Sequence, residues 1–265
     1  MLISDCKKYR IYKGNTVTTY IFDLDGTIIT NGQPLHCNLA ENIISLANSA
    51  RVIFASARPV RDMLPLLPRE LHDCLMVGCN GAMAWQQGEC LFSNRFEDRA
   101  TELMIGLLQQ HQVPYVLDGH WSFSTSQTAH TFHDYMRTLS DSEIPESELV
   151  SQGVSKILIL DGEFRAKTDA FLQQNSFEFS LHHHRHENIF DITPRQENKY
   201  LALKTLGVDF NRSIAFGNDS NDFEMLNNAG ISIFTGEPHY YVGASHYCKT
   251  EQLPALLREF SVVQA

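Results

Sequence analysis

Apolar residues in this chain fall in short unbroken runs, separated by stretches with helical spacing. TTYIFDL at residues 18–24, RVIFA at 51–55 and CLMVG at 74–78 predict buried strands. Between the first two, Leu39, Ile43, Leu46, Ala47 and Ala50 fall on one stripe and predict a helix. Pro59 stands where the first turn of a further helix tolerates proline. Apolar rather than alternating strands, joined by helices, predict a parallel sheet covered on both faces.

The middle of the chain has another rhythm. AMAW and CLFSNRF flank a turn at Gly88 and predict a hairpin. Residues 97–111 predict a helix presenting Ala100, Leu103, Met104, Leu107 and Leu108. PYVLDG, WSFSTS, SKILIL, FEFSLHH and NIFDIT predict strands, with helical stretches at 129–139 and 163–175. Such a mixture predicts an antiparallel α+β module. From residue 197 the strand–helix alternation returns: ENKYLALKTLGV, SIAFG, DFEMLNNAG ending at Gly230, ISIFT and QLPALLREF. The expected organisation is α/β, with a discontinuous parallel-sheet core of residues 1–82 and 191–265 and an α+β insert at 83–190.

Charge and composition narrow the functions. With 21 basic and 31 acidic residues the chain carries a formal charge of −10, against the basic stripe a nucleic-acid binder needs. A small phosphate ester held locally stays compatible. No apolar run reaches the length of a membrane span, and MLISDCKKYRIYKG lacks the apolar centre of a signal peptide. Cys6, Cys37, Cys74, Cys79, Cys90 and Cys248 show no zinc-type pairing, so reduced thiols and a cytoplasmic location are expected. No protein partner is predicted.

Two acidic clusters carry the candidate chemistry. Asp23-Leu24-Asp25-Gly26-Thr27 lies where a buried strand runs out, the place where open α/β sheets bind ligands. Carboxylates at i and i+2 converging there call for a hard cation such as Mg²⁺, and a carboxylate can also attack phosphorus. Alone, the same residues could form a polar turn. Asn218-Asp219-Ser220-Asn221-Asp222 follows SIAFG in the same way, and alone could be a helix-capping turn. Ser56 and Lys199 lie between them; singly, one reads as a turn residue and the other as a solvated lysine. In the tract His182-His183-His184-Arg185-His186-Glu187 the three consecutive histidines of a strand would alternate faces and so not all meet one ion, which predicts a polar strand and its turn in the insert, with some of these side chains facing the substrate.

In order, these elements resemble the haloacid dehalogenase superfamily, in particular its Cof-type phosphatases. DLDGT at 23–27 matches the first motif; FASARP at 54–59 matches the second, with Ala57 for the usual glycine. Lys199 and the residues after it match the third, GNDSNDFEML at 217–226 the fourth, and Gly78-Cys79-Asn80-Gly81-Ala82 the core-to-cap link. The fourth motif departs from the family pattern at Asn218, where an aspartate is usual. The resemblance implies a Rossmann-like core with the insert as a specificity-setting cap. It further implies a Mg²⁺-dependent phosphatase of small phosphorylated metabolites, most commonly sugar phosphates. Asp23 would be the nucleophile and Asp25 the general acid and base. Ser56, Lys199 and Asn221 would bind phosphoryl oxygens, and Arg58 and Asn80 would contact substrate. Asp23, the main-chain carbonyl at Asp25, Asn218 and Asp222 would form the metal shell, with Asp219 as an alternative to Asn218. A phosphomutase and a binding protein weakened in catalysis are the alternative functions.

Overall fold

The computed structural model describes residues 19–183, 188–195 and 197–263, with side chains to residue 260. Cys6 and residues 184–187 of the histidine tract lie outside these. The chain opens with β1 (Thr19–Phe22), β2 (Arg51–Ala55), β3 (Leu75–Gly78), β4 (Met83–Gln86) and β5 (Glu89–Ser93). Next come β6 (Tyr115–Asp118), β7 (Phe123–Thr125), β8 (Lys156–Ile159), β9 (Phe179–His183) and β10 (Phe190–Pro194). It ends with β11 (Ser213–Gly217), β12 (Ile231–Phe234) and β13 (His246–Tyr247).

The first sheet has the order β13-β12-β11-β1-β2-β3-β4-β5, parallel from β13 to β3 and antiparallel at β4 and β5. All four residues of β1 are buried, because side chains on both faces meet helices. Tyr20, Phe22, Val52 and Phe54 pack with Leu39, Ile43 and Leu46 of the helix Cys37–Ala47 and with Leu253 and Leu257 of the helix Leu253–Val263. Ile21, Ile53 and Ala215 point the other way, onto Ala202 and Leu203 of Lys199–Thr205 and Met225 and Leu226 of Phe223–Asn228. The period of two along each strand therefore sorts one apolar run into two cores.

The second sheet, β7-β6-β8-β10-β9, is wholly antiparallel. Tyr115, Leu117, Ile157, Ile159, Phe190 and Ile192 pack against Met104, Ile105 and Leu108 of Asp98–Gln110 and Leu172 of Arg165–Gln174. The opposite face carries Val116, Asp118, Lys156, Leu158 and Asp191, by the same alternation, with Met136 of the helix Thr131–Leu139 packed on it.

Several expectations need correction. The hairpin β4–β5 extends the first sheet, because β4 hydrogen-bonds to β3; it is not part of the insert. β10 lies inside the second sheet between β8 and β9, so that sheet runs past residue 191. The sheets therefore divide after Ser93 and after Pro194, not at 82/83 and 190/191. Leu103 is 38% exposed, and Thr101 takes a buried place on that helix instead. The helix expected to end at Gly230 stops at Asn228, since Ala229 is already extended. A helix at Glu146–Gln152 and the short β13 carried too little periodic signal to be foreseen.

Candidate active site

The site forms at the carboxyl ends of β1, β2, β3 and β11, where parallel strands leave main-chain groups free and loops converge. It opens on a cavity of about 620 Å³ between the two sheets. Asp23 follows β1 directly, and its N–H donates to the Phe216 carbonyl across to β11. The residue is 4% exposed, and its carboxylate Oδ1 accepts from Lys199 Nζ at 2.6 Å and Oδ2 from Thr27 Oγ1 at 2.8 Å. Lys199, fully buried, also donates to Asp222 Oδ1 at 2.7 Å. Two buried carboxylates thus share one ammonium. Burial, helped by the neighbouring Asp222, pushes the Asp23 carboxyl up to about 7 despite the opposing pull of Lys199 and Thr27. Burial would lower the Lys199 pKa, yet Asp222 and Asp23 together raise it and keep the ammonium charged.

The turn after Asp25 needs glycine twice over. Gly26 has φ of +78°, and a Cβ there would run into the Asn218 carboxamide. That approach brings Asn218 Oδ1 to 3.2 Å from Thr27 Oγ1. Asp219 also borders the cavity, but its carboxylate caps the short helix Ser220–Asp222, accepting from Ser220 N at 2.7 Å. Both Asp222 oxygens are committed to the chain itself, Oδ1 to Lys199 and Oδ2 to the N–H groups of Asn218 and Asp219. Asp222 therefore shapes the loop and holds the lysine.

Ser56 is 1% exposed just beyond β2, where its Oγ accepts from Arg58 N at 3.1 Å. The turn Cys79–Gly81, with three successive positive φ values, clamps this segment by donating Cys79 N to Arg58 O and Asn80 N to Ser56 O. Arg58 holds Asp25 through two hydrogen bonds, Nε–Oδ2 at 2.6 Å and Nη2–Oδ1 at 2.9 Å, and donates to Tyr135 Oη at 3.1 Å. Burial opposes the Arg58 charge, but the Asp25 pair more than restores it. Of the two expected substrate contacts, Arg58 lines the cavity. Asn80 is fully buried and instead holds Asn221, accepting from its Nδ2 at 3.0 Å. It does not line the cavity.

Asp23, Asp25, Ser56, Asn218 and Asn221 line the cavity, while Lys199 and Asp222 stand behind Asp23. The residues missed from sequence are Thr27, Tyr135, Asp118, Lys156 and Asp191. A charged residue inside or ending an otherwise apolar strand, as in SKILIL, NIFDIT and PYVLD, was the available signal for the last three. His182 and His183 lie on β9, where His182 Nε2 contacts Thr193 Oγ1 at 3.0 Å; nothing draws them to the cavity.

The donors at the floor suit a hard cation: the Asp23 carboxylate, the Asn218 amide oxygen and the main-chain carbonyl at Asp25 are all oxygen, with surplus negative charge around the lysine. Among the described residues no group of three or more His, Cys, Asp or Glu side chains could hold a metal ion, so amide and main-chain oxygens would have to contribute.

Residues 20–249 match the model of the haloacid dehalogenase-like hydrolases. A Haemophilus influenzae protein with a provisional phosphatase designation is 24% identical over 228 residues, covering 81% of this chain and 85% of its own. A haloacid dehalogenase-like hydrolase from Bacteroides thetaiotaomicron superposes with a TM-score of 0.78 at 17% identity, over 94% of this chain and all of its own. A subclass IIB sugar phosphatase superposes with a TM-score of 0.73 at 16% identity, over 92% of this chain and 99% of its own. The structural likenesses bear on the fold, while the family match extends from β1 almost to the last helix. The chain belongs to the haloacid dehalogenase-like hydrolase family.

Proposed function

We propose that the protein is a Mg²⁺-dependent phosphatase that hydrolyses small phosphorylated metabolites, with sugar phosphates as the leading class, through an aspartyl-phosphate at Asp23. The observation that carries this reading is the Asp23 carboxylate, set at the end of β1 on the cavity floor and braced by Lys199 and Thr27. A carboxylate held this way is oriented for attack while its neighbours restrain its charge. An Asp23 oxygen forms a bond to phosphorus as the ester P–O bond breaks. The leaving alkoxide takes a proton from Asp25, which requires the Asp25–Arg58 pair to open first. Asp25 then removes a proton from water attacking the same phosphorus, and inorganic phosphate leaves with Asp23 restored.

Ser56 and Asn221 would bind the phosphoryl oxygens from the cavity wall, with Lys199 reinforcing them from behind Asp23. Asp23, the Asp25 carbonyl and Asn218 would hold Mg²⁺, with Asp222 fixing the Asn218 loop. When bound, the cation supplies positive charge that stabilises the transferring phosphoryl group. The second sheet and its helices form the other wall of the cavity, and we assign residues 94–194 as the cap that sets specificity. A binding protein without turnover would fit the Asn218 departure, and a phosphomutase would fit the same floor.

The test is release of inorganic phosphate from a panel of phosphorylated metabolites with Mg²⁺ and with chelator. Phosphate release that depends on Mg²⁺ and disappears in Asp23→Asn supports the reading. Transfer between sugar hydroxyls without free phosphate would favour a mutase, and binding without either would favour the binding protein.

A further inference from the structure

Three successive carbonyls, those of Ser56, Ala57 and Arg58, fix the segment that carries the Ser56 hydroxyl. The turn Cys79–Gly81 holds the outer two, with Asn80 N at 3.0 Å from Ser56 O and Cys79 N at 2.9 Å from Arg58 O. The middle carbonyl is held from the other sheet: Lys156 Nζ, on β8, donates to Ala57 O at 3.2 Å. The same peptide unit turns its N–H the opposite way, and Arg58 N donates to Ser56 Oγ at 3.1 Å. A peptide plane is rigid, so its C=O and N–H cannot be reoriented separately. The donor on Ala57 O therefore helps decide where the Ser56 hydroxyl is held. It also helps decide where the Arg58 side chain departs toward Asp25.

The surroundings of Lys156 keep its ammonium in that place. It is 5% exposed at the head of β8, where the next residues are Ile157, Leu158 and Ile159. A residue needed here for packing alone would be apolar too, since a buried charge is costly unless paired. Burial opposes the Lys156 charge, but Asp191 and Asp118 more than restore it. Asp118 Oδ2 lies 3.1 Å from Nζ and Asp191 Oδ1 3.8 Å. Asp118 accepts in turn from Arg61 Nη2 at 2.8 Å, and Arg61 is fixed by Asp62 and by the Trp121 carbonyl. Asn80, whose N–H holds Ser56 O, also donates through Nδ2 to Asp191 Oδ2 at 3.3 Å. Two carboxylates, each tied to a residue of the first sheet's side, thus aim one ammonium at one carbonyl.

We propose that Lys156 is a positioning residue for phosphoryl transfer: seated on the Ala57 carbonyl, it orients the peptide between Ala57 and Arg58 so that Ser56 meets the phosphoryl oxygens. This rests on the phosphatase reading above. Part of the phosphoryl site is then completed by the second sheet, because the ammonium reaches Ala57 only when the two sheets are docked.

The test is a cycle of substitutions between this contact and Ser56. Lys156→Met combined with Asp191→Asn removes the ammonium at unchanged net charge, and the pair is made with and without Ser56→Ala. For a hexose phosphate and an aryl phosphate, kcat and KM are measured. Binding of inorganic phosphate in Mg²⁺ is measured calorimetrically for the same set of proteins. With Ser56 present, the pair should lower kcat/KM about 10–100-fold and by the same factor for both esters, the range for a misplaced hydrogen bond to a charged group. Most of the loss should fall in kcat rather than KM, since the phosphoryl oxygens gain most from such a donor in the transition state. In the Ser56→Ala protein the pair should cost less than about twofold, because what it positions is gone. Phosphate binding should weaken with Ser56 present and stay unchanged without it.

Equal losses with and without Ser56 mark a merely structural role and overturn the proposal. So does a loss with the hexose ester that the aryl ester does not share, which would place Lys156 on the leaving group. If the pair does not fold by thermal melt, Lys156→Gln, whose shorter amide still offers Asp118 a donor, runs the same cycle. Absence of phosphate release from every ester would sink the phosphatase reading, while the phosphate-binding cycle would still judge the coupling of Lys156 to Ser56.

Discussion

Asp23 stands 4% exposed beside a second buried carboxylate, with a carboxyl pKa of about 7 where 3.8 is ordinary. The folded protein therefore holds a proton there that the unfolded chain has already lost, and between those two values it is the proton-richer state. Its stability from this group falls as pH rises through that window, the opposite of a salt-bridged surface aspartate. Metal-free protein should thus lose melting temperature relative to Asp23→Asn as pH is raised from about 5 to about 8. Scanning calorimetry of both in chelator checks this, and a constant difference would contradict the pKa. The Asn218 position makes a second prediction. An amide brings no charge to a cation, so Asn218→Asp should lower the Mg²⁺ concentration for half-maximal phosphate release and Asn218→Ala should raise it. Because Asp219 caps a helix instead, Asp219→Asn should change that concentration little. A crippled Asp219→Asn beside an indifferent Asn218→Ala would move the ligand by one residue.

Elements show how tightly the site depends on local backbone. Gly81 has φ of +107°, and a Cβ there would meet the main chain of Asn198, one residue before Lys199. Gly81→Ala should destabilise the protein by about 1–3 kcal/mol through strain at a special φ, and displace the lysine behind Asp23. Reduced melting temperature together with reduced phosphate release would bear this out; a neutral substitution would not. The strand ends and the carboxylate clusters on them were legible in the sequence because buried parallel strands write unbroken apolar runs, and the turns after them need Asp, Asn and Gly. The assignment of the hairpin β4–β5 was not legible, since its alternating residues suit either sheet and only hydrogen bonds to β3 decide. Asn80 was placed on the substrate because a motif gives residue order, not depth; the structure buries it behind Asn221. Lys199 read as solvated when taken singly, because nothing local says that two carboxylates from distant segments converge on it. Asp118 and Lys156 were missed for the same reason, as they pair with each other across two strands distant in sequence and with Arg61 and Ala57 from beyond their own sheet.

At the scale of the molecule, the two sheets meet through Arg58–Tyr135, Arg61–Asp118 and Lys156–Ala57, all reaching the segment that carries Ser56. Both tryptophans of the chain also sit across this junction: Trp85 lies on β4 and Trp121 between β6 and β7, with ring centroids 5.0 Å apart. Relative movement of cap and core on ligand binding should therefore change tryptophan emission in the Asp23→Asn protein, and Trp121→Phe should abolish most of that change. An emission unaffected by a bound monophosphate would mean that the junction stays fixed. In the proposed mechanism the phosphoryl group passes through Asp23. Rapid acid quench of the protein during turnover, followed by borohydride reduction and peptide mass analysis, tests it directly. The expected result is a phosphoryl group trapped on Asp23 alone, reduced there to homoserine. A phosphoryl group on any other residue, or none while phosphate is being released, would contradict it.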